Sequence, residues 1–288
     1  MAYASFAELL LAAQTAGSLG RAAIEREVAE TGLAREQVVE RMAVALDVMK
    51  EAVAEGLAGG LRSRSGLVGG DAARLADSAA GPIGGEFSRV LAAALAVGEV
   101  NATMGRIVAA PTGGASGVLP GVLLPLGETM GVSDGDLVEA LFAAGAIGGV
   151  IAARSTLSGA VGGCQAEIGS GAAMAAAAAV QLTGGTPAQA GHAAALALQG
   201  LLGLVCDPIG GLVEVPCVAR NATGAAVALA AVELALSGIE FPVPLDEVID
   251  AQSQVGRSLP PSLRETAIGG LAGTLTGRSL AAHARAAR

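Results

Sequence analysis

The sequence predicts an all-α protein. It reads as one compact domain over residues 1–288, built of long Ala/Gly-rich helices joined by glycine-rich loops, with residues 1–60 as a helical arm around it. Three observations carry this. Apolar residues recur at helical spacing, best seen over 34–58, where Val38, Met42, Ala45, Met49, Val53 and Leu57 fall on one stripe. Runs of alternating β-branched residues, the mark of strands, are almost absent. Apolar residues make up 52% of the chain but aromatic ones only 2%, so the core has to be filled by Ala, Leu, Val and Gly. Side chains that small let helix backbones approach closely.

The elements follow in order. Two short helices are predicted to end at Gly17 and Gly32, residues suited to the left-handed C-terminal position of a helix. The amphipathic helix over 34–58 comes next. A Gly/Ser stretch, GGLRSRSGLVGGD, then runs to Asp71, a candidate N-cap for the following helix. A helix is expected over about 85–104, then an uncharged loop, APTGGASGVLPG, over 109–120. Ser133 is a good N-cap for a helix over about 134–153. The loop STLSGAVGG (155–163) leads to helices over about 164–183, 187–204 and 217–237. Short helices near 244–257 and 279–287 close the series.

Composition excludes several classes. A net charge of −9 with scattered basic residues argues against a nucleic-acid partner, which needs clustered Lys and Arg. From Ile168 to Val205 no side chain is charged, long enough to raise a membrane reading. Gly184-Gly185-Thr186-Pro187 splits this span into two Ala-rich helices without aromatic belts, so buried core helices are expected and no membrane. The first residues, MAYASFAELLLAAQ, carry Glu8 and no basic flank, and read as an amphipathic helix instead of an export signal. With three cysteines, an odd count, this points to the cytoplasm. Lys50 is the single lysine and lies on a polar helix face, which excludes a pyridoxal phosphate enzyme and a Walker A loop. His192 and His283 have no evident sequence partner and read as packed or capping residues.

The three cysteines are the main chemical signal. Cys164 opens GCQAE, Cys206 sits in GLVCDPIGG, and Cys217 ends VEVPC. Each is expected at or near a predicted helix end, where a positive local field favours thiolate. They read either as inert buried thiols or as metal ligands. The spacing is not that of a zinc site. Thiolates suit an iron–sulfur cluster, and three of them leave one iron open.

These segments resemble the α subunit of two-chain, iron–sulfur-dependent L-serine dehydratases. The matching stretches are SGLVGGD (65–71), GEVNATMG (98–105), APTGGASGVLPG (109–120), GGCQAEIGSGAAMAAAA (162–178), GLVCDPIGGLVEVPC (203–217), RNATGA (220–225) and RETAIGGLAGTLTGR (264–278). The resemblance implies a lyase that deaminates L-serine to pyruvate and ammonia, a step of amino-acid degradation and gluconeogenesis. It implies a 4Fe–4S cluster held by Cys164, Cys206 and Cys217, with an open iron for the substrate. It implies a separate β subunit and a homo- or hetero-oligomer. Single-chain members of the family carry a further C-terminal cysteine; HARAAR here holds none, which leaves water, hydroxide, substrate or a partner residue as fourth ligand.

Candidate catalytic residues are Glu167 and Asp207, next to cluster cysteines, though both could equally be cap or salt-bridge groups. The base could instead come from the partner chain. Candidate substrate-binding residues are Ser65, Gly66, Asn101, Thr112, Gly113, Gly114 and Ser116, with tight helix–loop packing as the other reading of the glycines. The rival functions are a related cluster-dependent cysteine desulfidase, a Gly/Ala-rich membrane protein, and a non-catalytic helical scaffold.

Overall fold

The computed structural model describes residues 3–78 and 83–286. The described residues form thirteen α-helices and no strand. The helices are α1 (Phe6–Ala16), α2 (Leu19–Thr31), α3 (Arg35–Leu57), α4 (Asp71–Asp77), α5 (Gly85–Ala102), α6 (Val118–Met130), α7 (Asp134–Arg154), α8 (Gly159–Gly162), α9 (Ser170–Leu182), α10 (Pro187–Gln199), α11 (Cys217–Leu236), α12 (Leu245–Ser258) and α13 (Leu275–Ala286).

Local chemistry sets the early boundaries. Ser5 and Ser18 cap α1 and α2 by accepting from Glu8 N and Arg21 N. Gly17 and Gly32 end them at φ 94° and 68°, a conformation that glycine adopts without strain. Ser133 and Asp136 form a reciprocal capping pair at the start of α7. Thr186 and Gln189 do the same for α10.

Helix α9 lies at the centre. All residues from Ser170 to Val180 are buried, and α6, α7, α10 and α11 surround it. Helices α1–α3 contribute Leu9, Ala13, Leu19, Ile24, Leu46 and Met49 to the same buried cluster as α9. The near absence of large side chains lets backbones meet. A Cβ on Gly121 would stand 2.6 Å from Ala94 Cβ, and one on Gly117 would overlap the Ala94 carbonyl, so α6 lies directly on α5.

The 168–205 span is broken where expected. It forms α9 and α10, of 13 residues each, with Gly184 at φ 82° between them. Two other helices, α7 and α11, are long and apolar enough to cross a membrane by length and composition; 61% of the apolar window of α7 is buried inside the protein.

Several expectations need correction. Residues 118–130 form α6, which the proline and glycine content had hidden. Pro125 sits inside this helix, and nine of its thirteen residues are buried. Burial against α5 and α9 outweighs the loss of one backbone hydrogen bond. The helix expected over 164–183 is interrupted by a π turn at Gln165–Gly169 before α9 begins. Helix α10 stops at Gln199 instead of 204. Helix α13 starts at Leu275, ahead of the expected 279, and its expected last residue, 287, lies outside the described residues.

Asp71 is the first residue of α4 and not its cap; Gly70 holds that position. The acceptor for this helix start is the buried Glu99 of α5, which takes N–H bonds from Gly70 (3.0 Å), Asp71 (2.6 Å) and Ala72 (3.3 Å). A carboxylate there also suits the positive end of the helix. Glu99→Ala is expected to strip three donors of their acceptor and cost about 2–4 kcal/mol. Thermal unfolding should show the midpoint falling by roughly 5–10 °C.

Candidate active site

Three loops and the starts of two helical segments meet at the cysteines. Cys164 ends the loop after α8 and begins the π turn leading into α9. Its neighbour Gln165 is fully enclosed. Gln165 Nε2 donates to Gly162 O and Gln252 O, Gln165 Oε1 accepts from Gly203 N, and Gln252 Nε2 donates back to Gln165 O. This amide pair ties the turn to α12 and to the loop before Cys206.

Cys217 is the first residue of α11. One turn on, Asn221 accepts from Gly117 N and donates to Gly114 O and Cys217 O. That one side chain joins the 112–117 loop to the start of α11.

Cys206 is not at a helix end, contrary to expectation. It lies seven residues beyond α10, in an extended segment bridged to Arg264. Cys206 N donates to Leu263 O, and Glu265 N donates to Cys206 O. Glu265 and Ala267, on the supporting loop, have φ of 61° and 55°, an uncommon conformation for residues with a side chain.

All three thiols are free and buried. They lie within electrostatic reach of one another and of Glu167. Burial pushes the Cys164 thiol up to about 11, opposed by the Arg220 guanidinium. Burial, then Cys164 and Glu167, push Cys217 up to about 12. Cys206 is driven further the same way by burial, with Cys164, Glu167 and Glu265 adding to it. The expected lowering by helix ends is therefore outweighed by desolvation.

Glu167 faces this group. Its Oε1 accepts from Thr112 Oγ1 at 2.7 Å, and its Oε2 lies 3.8 Å from Cys206 Sγ. Burial raises its pKa, Thr112 opposes the rise, and Glu265 adds to it. Gly159 passes so close that a Cβ there would run into Glu167 Oε2 and stand 3.0 Å from Cys206 Sγ. Asp207 is placed differently: its Oδ2 accepts from Leu271 N at 2.7 Å, and its Oδ1 pairs with Arg220 Nη2 at 2.8 Å.

The remaining candidates divide. Thr112, Gly113 and Gly114 stand beside Glu167 and Asn101: a Cβ on Gly114 would be 3.4 Å from Glu167 Oε1, and one on Gly113 would be 3.4 Å from Asn101 Oδ1. Ser116 is buried and donates to Gly113 O. Ser65 is buried against Glu214, which also accepts from Ser63 at 2.7 Å. Gly66 turns the same loop at φ 75°. Glu214 and Arg220 were missed by sequence reasoning. Their signal was position, since both lie three residues from Cys217. His192 is elsewhere, accepting from Phe241 N at 3.2 Å, and His283 is exposed.

Among the described residues no three His, Cys, Asp or Glu side chains close around a single ion. A cluster asks for something else: its cysteines bind different irons and so stand apart. Three buried thiols that sense one another from three separate segments, with no histidine among them, fit that demand.

The described residues thus form an all-α protein with three buried thiols, a carboxyl group facing them and glycine loops around them. The chain matches the serine dehydratase alpha chain family over residues 13–272, and it belongs to that family. It is 50% identical over 190 residues to the probable L-serine dehydratase alpha chain of Bacillus subtilis, covering 66% of this chain and 63% of that one. It is 47% identical over 193 residues to the L-serine dehydratase alpha chain of Peptoniphilus asaccharolyticus, covering 67% and 66%. With the L-serine dehydratase of Mycobacterium tuberculosis, identity is 45% over 184 residues, 62% of this chain and 40% of that longer one. The match thus spans a little under two thirds of the first of these relatives.

Proposed function

We propose that this chain is the catalytic alpha chain of a cytoplasmic L-serine dehydratase and works with a separate beta chain in an oligomer. It removes water from L-serine and releases pyruvate and ammonia. The observation that carries the reading is the convergence of Cys164, Cys206 and Cys217 on Glu167 and the 112–114 loop. The partner rests on relatives of similar extent being named alpha chains, while a longer relative without that label is matched over only 40% of its length.

Cys164, Cys206 and Cys217 would hold a 4Fe–4S cluster, which when bound supplies a Lewis-acidic iron with a position open to substrate oxygen. The chain's own residues have three tasks. Glu167 Oε2 is assigned the Cα proton of serine, while Thr112 fixes the carboxyl from the other oxygen. The electrons of that C–H bond form a C=C bond as the β C–O bond breaks, and the departing hydroxide takes up the proton held on Glu167 and leaves as water. The 2-aminoacrylate takes a proton at carbon, and the imine hydrolyses to pyruvate and ammonia.

The N–H groups of Gly113 and Gly114 and the Asn101 amide have no hydrogen bond among the described residues, and are assigned to the substrate carboxylate and ammonium. Ser65, Gly66 and Ser116 shape the loops around that position. Asp207 is assigned to Arg220, away from proton transfer.

The test is anaerobic reconstitution with iron and sulfide, followed by serine turnover with and without a candidate beta chain. Pyruvate is expected at full rate only with both chains present. Full turnover by the isolated chain would remove the two-chain reading, and a chain that takes up no iron and sulfide would remove the cluster.

A further inference from the structure

The thiol centre is poor in positive charge. Glu167 and Glu265 both face Cys206, and Glu167 also faces Cys164 and Cys217. Three thiolates would add three more negative charges. Among the described residues the cation that meets a ligand thiol is Arg220, on the first turn of α11, three residues after Cys217.

Its contacts are distributed unusually. The guanidinium faces the Cys164 thiol closely enough to interact with it. Its Nη1 donates to Val205 O at 2.9 Å, and its Nη2 pairs with Asp207 Oδ1 at 2.8 Å. Val205 and Asp207 are the two chain neighbours of Cys206. One side chain therefore lies within electrostatic reach of the first cysteine, brackets the second, and grows from the helix turn that the third begins. The pair is secluded, with Asp207 3% and Arg220 14% exposed, and Asp207 is itself held by Leu271 N. A planar fork of fixed donors can make these contacts together; a lysine ammonium cannot.

Resting on the cluster reading above, we propose that Arg220, oriented by Asp207, is the positioning and charge-balancing residue of the three-cysteine centre. It sets the spacing of the three sulfurs and donates to the Cys164 sulfur once the cluster is bound. Partners of this kind tune a metal site through net charge and hydrogen bonds to the sulfurs. Removing the positive charge destabilises the reduced cluster relative to the oxidised one. The midpoint potential therefore falls, and oxidative loss of the cluster accelerates.

The experiment compares wild type, Arg220→Lys, Arg220→Met and Asp207→Asn after anaerobic reconstitution. The readouts are iron and sulfide content, decay of the visible cluster absorption in air, and midpoint potential, with helical circular dichroism as the check on folding. Arg220→Met is expected to lose the cluster at least about tenfold faster and to show a lower potential. Arg220→Lys keeps the charge but not the fork, so its potential should stay near wild type while the cluster still decays faster. Asp207→Asn loosens the fork and removes a negative charge, so its cluster should decay faster than wild type without a fall in potential. If Arg220→Met does not fold, Arg220→Lys and Asp207→Asn decide the matter. Folded variants that match wild type in decay and potential overturn the proposal alone. A wild-type chain that binds no cluster overturns both this proposal and the reading beneath it.

Discussion

Changing Cys164, Cys206 or Cys217 to serine, one at a time, is expected to cut serine turnover by at least about a hundredfold, the scale of several kcal/mol of Lewis-acid stabilisation. Iron and sulfide content after reconstitution should fall in parallel. The fold should survive, because none of the three sulfurs is in a disulfide and each backbone is held independently. The Gln165–Gln252 amides hold the first, Leu263 and Glu265 the second, Asn221 the third. Circular dichroism should therefore change little. A variant that loads a stable cluster and turns serine over at the wild-type rate would remove that cysteine from the ligand set.

Glu167→Gln is expected to leave the cluster in place and reduce kcat by about a hundredfold or more, the range of a positioned general base. The glutamine oxygen can still accept from Thr112, so the geometry of the loop is retained. Asp207→Asn is expected to act differently, weakening the cluster before it affects proton transfer, since both Asp207 oxygens are engaged by protein groups. Stopped assays that separate cluster content from turnover per cluster distinguish the two. Wild-type turnover per cluster in Glu167→Gln would move the base to the partner chain.

Much of the helix plan was legible because local chemistry sets it. Gly17, Gly32, Ser133 and the Gly184–Pro187 break all act through neighbours within a few residues. What was not legible depends on distant partners. Helix α6 is held by burial against Ala94 despite Pro125, and no local signal reports that. The cap of α4 comes from Glu99, 28 residues away from Asp71.

The site divides in the same way. Three cysteines and the carboxyl of Glu167 could be picked out by residue type and neighbourhood. The burial that raises the thiol pKa values could not, nor could the pairing of Arg220 with Asp207, which depends on how α11 docks. Ser65 and Ser116 were read as ligand donors from their glycine-rich context, yet their hydroxyls are turned to Glu214 and Gly113.

The bridge between Cys206 and the 263–265 segment has a consequence for how the protein is made. Chain synthesis runs from the N-terminal side to the C-terminal side, so Cys164, Cys206 and Cys217 leave the ribosome well before Leu263, Glu265 and Leu271. Until those residues arrive, the segment around Cys206 lacks both its backbone partners and the N–H that secures Asp207. The three-thiol centre is therefore assembled late, after nearly all of the described chain has been translated, and a ribosome stalled before residue 263 would carry three thiols whose surroundings are unfinished.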